Sequence, residues 1–123
     1  YLGLSTKGFP NMFIMVGPGS PSLLSNVMVS MEEHADFIRD LIGDMRDKGY
    51  TEVEAEPQAE EHWVEHVNER SKETLYPKAK SYYVGAEIPG KPQVFMPYSG
   101  GVRGYRRILN RVQNENWNGF VMK

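Results

Sequence analysis

The sequence contains no cysteine. That excludes disulfides, thiolate metal sites and thiol nucleophiles, and it suits a reducing compartment such as the cytoplasm. No run approaches the ~18 apolar residues of a membrane-spanning helix, and no basic-then-apolar leader opens the chain. Net charge is small, −2 over 123 residues, so electrostatics gives no reason to expect nucleic acid or an anionic membrane. Internal repeats and low-complexity linkers are absent too. What is there is ordinary globular composition, 40% hydrophobic and 24% charged. A chain of this length buries roughly two-thirds of its unfolded surface. It opens on Tyr1-Leu2-Gly3-Leu4 rather than methionine, which suggests a chain entered midway.

Four blocks follow one another. Met12 to Val16 is a continuous apolar run, bounded by Gly8-Phe9-Pro10-Asn11 and by Gly17-Pro18-Gly19-Ser20; this reads as a buried strand of a parallel sheet. A long helix comes next. Leu24, Val27, Met28, Met31, Ala35, Ile38, Leu41, Ile42 and Met45 recur at steps of three and four, one apolar stripe. Ser20, Ser22 or Ser25 can cap its start, and Lys48-Gly49 is a stop signal. The third block is acidic: a short strand at Thr51 to Ala55, then a helix entered at Pro57 and ended by Tyr76-Pro77. Its inner face is Trp63, Val64, Val67 and Leu75. The fourth block turns at Pro89-Gly90-Lys91-Pro92. It extends through Val94-Phe95-Met96, forms a helix from near Arg103 and closes on a strand at Gly119 to Met122. The predicted class is α/β, or α+β for the piece alone: three helices with a few short strands.

Gly17-Pro18-Gly19-Ser20-Pro21-Ser22 stands where a dinucleotide fold binds phosphate. There, glycines admit a ligand to the backbone and a helix start offers N–H groups. The fit is imperfect, because Ser22 replaces the third glycine and Pro18 and Pro21 have no N–H. Three readings stay open: a phosphate cradle, a plain strand-to-helix turn, or a helix start facing another electron-rich group beside Ser22, Ser25 and Asn26.

His62-Trp63-Val64-Glu65-His66 spells H-x-x-E-H. On a helix the two histidines share a face, and Glu65 would be the base of a zinc peptidase. Such a site needs a third ligand, and Glu69 and Glu73 lie on the same helix. The plainer reading is a solvated charged face. His34, alone on the first helix, reads as a surface or packed histidine. Arg103, Arg106 and Arg107 follow glycines at a helix start; helix-face charge is preferred over a phosphate site there.

Tyr1 to Phe13, Gly17-Pro-Gly-Ser-Pro21, Glu65-His-Val-Asn68, Thr74-Leu-Tyr-Pro77, Gly85-Ala-Glu-Ile-Pro-Gly-Lys-Pro92 and Tyr105-Arg106 together closely resemble the C-terminal region of Baeyer–Villiger monooxygenases of the phenylacetone and cyclohexanone type. The resemblance runs in order along nearly the whole chain. It implies the C-terminal part of a Rossmann-like FAD domain, with residues 1–50 as closing strand and helix and 51–123 as an extension carrying a cofactor lid. It implies cofactor contacts at Gly17, Pro18, Asn26, Val27, Ser81 and Tyr82, and a substrate-pocket wall at Pro21, Ser22, Leu23 and Leu24. Ser81 to Lys91 matches the loop that folds over the nicotinamide. One departure stands out: Tyr82 occupies the place of a family tryptophan.

The family's two glycine-rich fingerprints, its F-x-G-x-x-x-H-x-x-x-W signature and its active-site arginine are not in this sequence. The implied parent uses FAD, NADPH and O2 to convert ketones to esters or lactones. This chain alone would hold no catalytic residue, bind neither cofactor tightly and be inactive. Its partners would be the remainder of the parent chain and, once separated, copies of itself. The competing readings are a zinc hydrolase on His62, Glu65 and His66, and a stand-alone interaction domain.

Overall fold

The computed structural model describes residues 1–22, 25–79 and 82–123, and of Pro77 and Tyr82 the backbone only. Three helices and two short strands are built from them: α1 (Val27–Lys48), β1 (Val53–Ala55), α2 (Pro57–Lys72), α3 (Gly101–Asn114) and β2 (Phe120–Met122). Single 3-10 turns lie at Tyr76–Lys78 and Tyr82–Val84.

Helix α1 starts later than the serines suggest. Its cap is Asn26, whose side-chain Oδ1 accepts the Met28 N–H at 3.0 Å. Ser20 is spent elsewhere, its hydroxyl donating to the Gly17 carbonyl. The end is as read, with Gly49 at φ 76 and Arg46 and Lys48 in the last turn, where cations meet the negative end of the dipole. The buried face is rotated from the expected stripe. It consists of Ser30, His34, Phe37, Leu41 and Met45, while Val27, Met28, Met31 and Ile42 are exposed. Hydrophobic spacing alone could not find this face, because two of its five members are polar.

Helix α2 begins with Pro57 at its first turn and buries Trp63, Val67 and Ser71. Val64 and Leu75, expected inside, are 50% and 79% exposed. The helix also stops before Tyr76-Pro77. The Thr74 N–H and hydroxyl both donate to the Ser71 carbonyl, and the Ser71 hydroxyl to the Asn68 carbonyl, so local polar groups compete with the helical ladder.

The strands β1 and β2 pair with each other, antiparallel, in the register Val53↔Met122, Glu54↔Val121 and Ala55↔Phe120. Met12 to Val16, by contrast, is no strand here. The Ile14 N–H reaches the Leu4 carbonyl and Asn11 bonds across to Val53, but Met12, Ile14 and Met15 are exposed. Among the described residues no strand pairs with Met12 to Val16 themselves, so the expected parallel-sheet strand does not form within this chain by itself. One core joins residues 1–50 to residues 51–123. It includes Leu4, Phe37, Leu41, Trp63, Val67, Tyr105, Leu109 and Trp117. Helix α3 is also tied to α1 by Arg106, which grips Glu33 through Nε and Nη2. Among the described residues, no helix is long and apolar enough to cross a membrane.

Candidate functional site

The Gly17 to Pro21 turn is held through its backbone groups by several other segments of the chain. The Gly17 N–H donates to the Gly3 carbonyl at 3.2 Å, the Gly19 N–H to Met96 at 2.8 Å and the Ser20 N–H to Gly17 at 3.1 Å. In return, the Ser20 carbonyl accepts from the Tyr98 N–H, the Gly19 carbonyl from the Trp63 indole and the Pro21 carbonyl from the Ser30 hydroxyl. Glycine is required by contact as well as by dihedral angle. A Cβ on Gly17 would lie 2.8 Å from the Gly3 oxygen, and one on Gly19, at φ 87, would lie 2.8 Å from Trp63 Nε1.

This geometry decides between two of the readings of the turn. A phosphate cradle needs N–H groups aimed outward. Here each of the turn's N–H donors already has an internal acceptor, and Pro18 and Pro21 have none to give. The glycines serve close packing rather than anion capture.

The start of α1 has a different character. Its first turn carries no acidic residue, so no charged side chain there offsets the positive end of the dipole. Just before it, the Ser25 hydroxyl is buried and has no hydrogen-bond partner among the described residues. A buried, unpaired hydroxyl is costly in a native fold, and it fits a polar group of another molecule or segment reaching this point. Pro18, Asn26 and Val27 are exposed beside it, whereas Gly17 and Pro21 are buried and Ser22 is half-buried. Leu23, Leu24 and Ser81 lie outside the described residues, as does the Tyr82 side chain. The neighbouring Tyr83 packs edge-on to Tyr76, and Tyr76 stacks on Phe95 at 4.6 Å.

His34 is packed, one of the two alternatives its sequence offered, but nothing in the sequence named its partners. His34, fully buried on α1, receives the Val16 N–H at Nδ1 (3.0 Å) and lies 2.8 Å from the Tyr105 hydroxyl at Nε2. Tyr105, also fully buried, donates to the Leu2 carbonyl at 2.6 Å. Burial pushes the His34 pKa down to about 4, with Glu33 acting the other way, and raises that of the Tyr105 phenol. No spacing rule brings positions 2, 16, 34 and 105 together.

The H-x-x-E-H helix holds no metal-type cluster. Among the described residues no three His, Asp or Glu side chains converge on one point. His66 is instead part of an aromatic stack, 5.4 Å from Trp63 and 5.8 Å from Tyr98 between ring centres. His66 is itself exposed, and its pKa is lowered by partial desolvation and by the charges of Arg70 and Arg111. His62 and Glu65 are exposed. Arg103 and Arg107 also face outward, and Arg106 is used by Glu33.

No family model matches the chain. Individual proteins do. The chain is 38% identical to a phenazine N-monooxygenase of Lysobacter antibioticus over 99% of its own length and 22% of that protein's. It is 36% identical to a Baeyer–Villiger monooxygenase of Pseudooceanicola batsensis over 98% of the chain and 22% of the relative. For the cyclohexanone 1,2-monooxygenase of an Acinetobacter species the figures are 34%, 98% and 22%. A closed crystal structure of cyclohexanone monooxygenase superposes on the whole chain with a TM-score of 0.92 at 40% identity, over 23% of that structure. An NADP-bound steroid monooxygenase superposes with a TM-score of 0.89 at 38% identity, over 99% of the chain and 22% of that structure. The chain thus spans about a fifth of the length of the relatives it matches.

Proposed function

We infer, for a chain whose homologues along its whole length are Baeyer–Villiger monooxygenases, that it is the part of such an enzyme that closes the FAD domain, walls the substrate pocket and covers the nicotinamide. The single observation carrying this reading is that match over the full 123 residues. The parent would take electrons from NADPH and oxygen from O2, and convert a ketone to an ester or lactone. Bound FAD supplies the redox chemistry; this chain's residues supply shape and orientation.

Gly17, Pro18, Asn26 and Val27 are the residues we assign to the flavin. The inward-spent N–H groups of the turn suit a ring edge rather than a pyrophosphate. The unpaired Ser25 hydroxyl and the acid-free first turn of α1 support an electron-rich group there. Pro21, Ser22, Leu23 and Leu24 are assigned to the substrate wall, and Ser81 and Tyr82 to the nicotinamide lid. In the Rossmann-like domain we propose, Met12 to Val16 becomes a strand beside partners from the rest of the enzyme, which accounts for its exposed methionines. Residues 1–50 would belong to that domain and 51–123 to its extension. No catalytic group is assigned within the chain, and alone it would hold neither cofactor tightly. The lack of cysteine suits the cytoplasmic location we assign.

The test is the full-length protein, purified and scanned for a bound flavin spectrum, then supplied with NADPH, O2 and cyclohexanone while the lactone is followed by gas chromatography. Phenazine belongs in the same assay, because an N-monooxygenase is among the similar proteins. Flavin-free protein that consumes no NADPH with either compound would refute the reading.

A further inference from the structure

The contacts of His34 can be satisfied in one way only. A backbone N–H can only donate, so the Val16 contact requires a bare Nδ1 on His34. A carbonyl can only accept, so the Tyr105 hydroxyl gives its proton to Leu2. The remaining contact, between His34 Nε2 and the Tyr105 oxygen, is then His34 donating. His34 is therefore the Nε2–H tautomer, in a one-way chain from Val16 through His34 and Tyr105 to Leu2.

Both ends of that chain grip strained backbone. Val16 has φ 55 and Leu2 φ 56, the left-handed region that bulky side chains avoid. Such residues persist only where their surroundings over-determine them. Val16 is followed directly by Gly17, whose N–H is fixed to Gly3, next to Leu2. The chain thus sets where the Gly17 to Ser20 turn sits relative to α1, the helix that carries His34.

We propose that His34 is a positioning residue: through its bond to Val16 it fixes the turn and the start of α1 against the flavin. This rests on the assignment of Gly17, Pro18, Asn26 and Val27 to the flavin made above. The Tyr105 hydroxyl serves as the second clamp that keeps the His34 ring in the orientation Val16 needs.

Two near-isosteres separate positioning from packing. The carboxamide of His34→Asn lies where Nδ1 was and can still accept the Val16 N–H. That of His34→Gln lies where Nε2 was, so it keeps Tyr105 and loses Val16. In full-length, FAD-loaded protein, His34→Gln is expected to shift the flavin absorption bands and reduction potential. It should lower kcat about tenfold or more, with KM for NADPH changed less than about twofold. His34→Asn should retain the wild-type spectrum. If the two variants lower Tm alike and leave spectrum and potential unchanged, the inference is overturned. Should either fail to fold, Tyr105→Phe keeps the ring and removes the clamp; it should shift the bands in the same direction but less, and unshifted bands overturn the inference. Wild-type protein that takes up no FAD overturns this inference together with the flavin reading. An FAD-loaded wild type with unshifted His34→Gln and Tyr105→Phe overturns this inference alone.

Discussion

The indole of Trp63, on α2, donates its N–H to the Gly19 carbonyl at 3.2 Å and fills the space that a Cβ on Gly19 would need. One aromatic side chain from the acidic helix thus decides the shape of a turn 44 residues earlier.

Gly19→Ala should therefore be far worse than an ordinary surface substitution. It combines a left-handed φ of 87 with a 2.8 Å approach to Trp63. Strain and overpacking together should cost roughly 2–4 kcal/mol. Trp63→Phe, which leaves the Gly19 carbonyl without its donor, should cost about 1–3 kcal/mol. Urea midpoints of the full-length protein, with the flavin spectrum recorded alongside, check both values.

Acid should weaken the fold in two steps. His34 has its pKa lowered from 6.5 to about 4 by burial. Between those values the unfolded chain binds a proton that the native state does not, so stability rises with pH there. Its contribution is whole above about 6.5 and shrinks as pH falls toward 4, by roughly 3 kcal/mol at most. The lowered pKa of His66 acts in the same direction. A second loss should appear at lower pH. There Asp40, Asp44 and Glu60 become protonated, their pKa values having been held down by contacts to Arg39, Lys48 and the Lys7 backbone respectively. Denaturant midpoints from pH 4 to 7 for wild type and His34→Asn would test the first step: the variant's profile should be flatter.

The isolated 123-residue chain should self-associate. Met12, Ile14, Met15, Val27, Met28 and Met31 are all exposed, and exposed apolar groups in such number mark a surface that seeks cover. Light scattering at rising concentration should show mass growth, and Ile14→Lys with Met15→Lys should reduce it. A concentration-independent monomer would count against this expectation.

His62→Ala should leave both metal content and turnover of the full-length enzyme unchanged. His62 is exposed, and no third ligand converges on it among the described residues. Loss of stoichiometric zinc by elemental analysis, together with loss of activity, would restore the hydrolase reading.

Much of the secondary structure was legible in the residues. Lys48-Gly49 ended α1, Pro57 opened α2 and the closing strand fell at Phe120 to Met122, because caps, prolines and short apolar runs act through neighbours in the chain. The resemblance in six ordered segments also pointed to the relatives that match. Burial was harder to read. The α1 face was misplaced because Ser30 and His34 are buried, their hydrogen bonds met by groups outside the helix, Pro21 for one and Val16 and Tyr105 for the other. The strand at Met12 to Val16 failed for the complementary reason: an apolar run forms a sheet only beside a partner.

The glycine turn separates the two sources of information most clearly. Sequence determined that the chain must turn sharply between Val16 and Ser22, since Gly17, Pro18, Gly19 and Pro21 break regular structure there. Whether its N–H groups would face a phosphate or the protein depended on the carbonyls of Gly3 and Met96. Those groups are far away in sequence and become neighbours only when the core closes, so tertiary structure alone decided it.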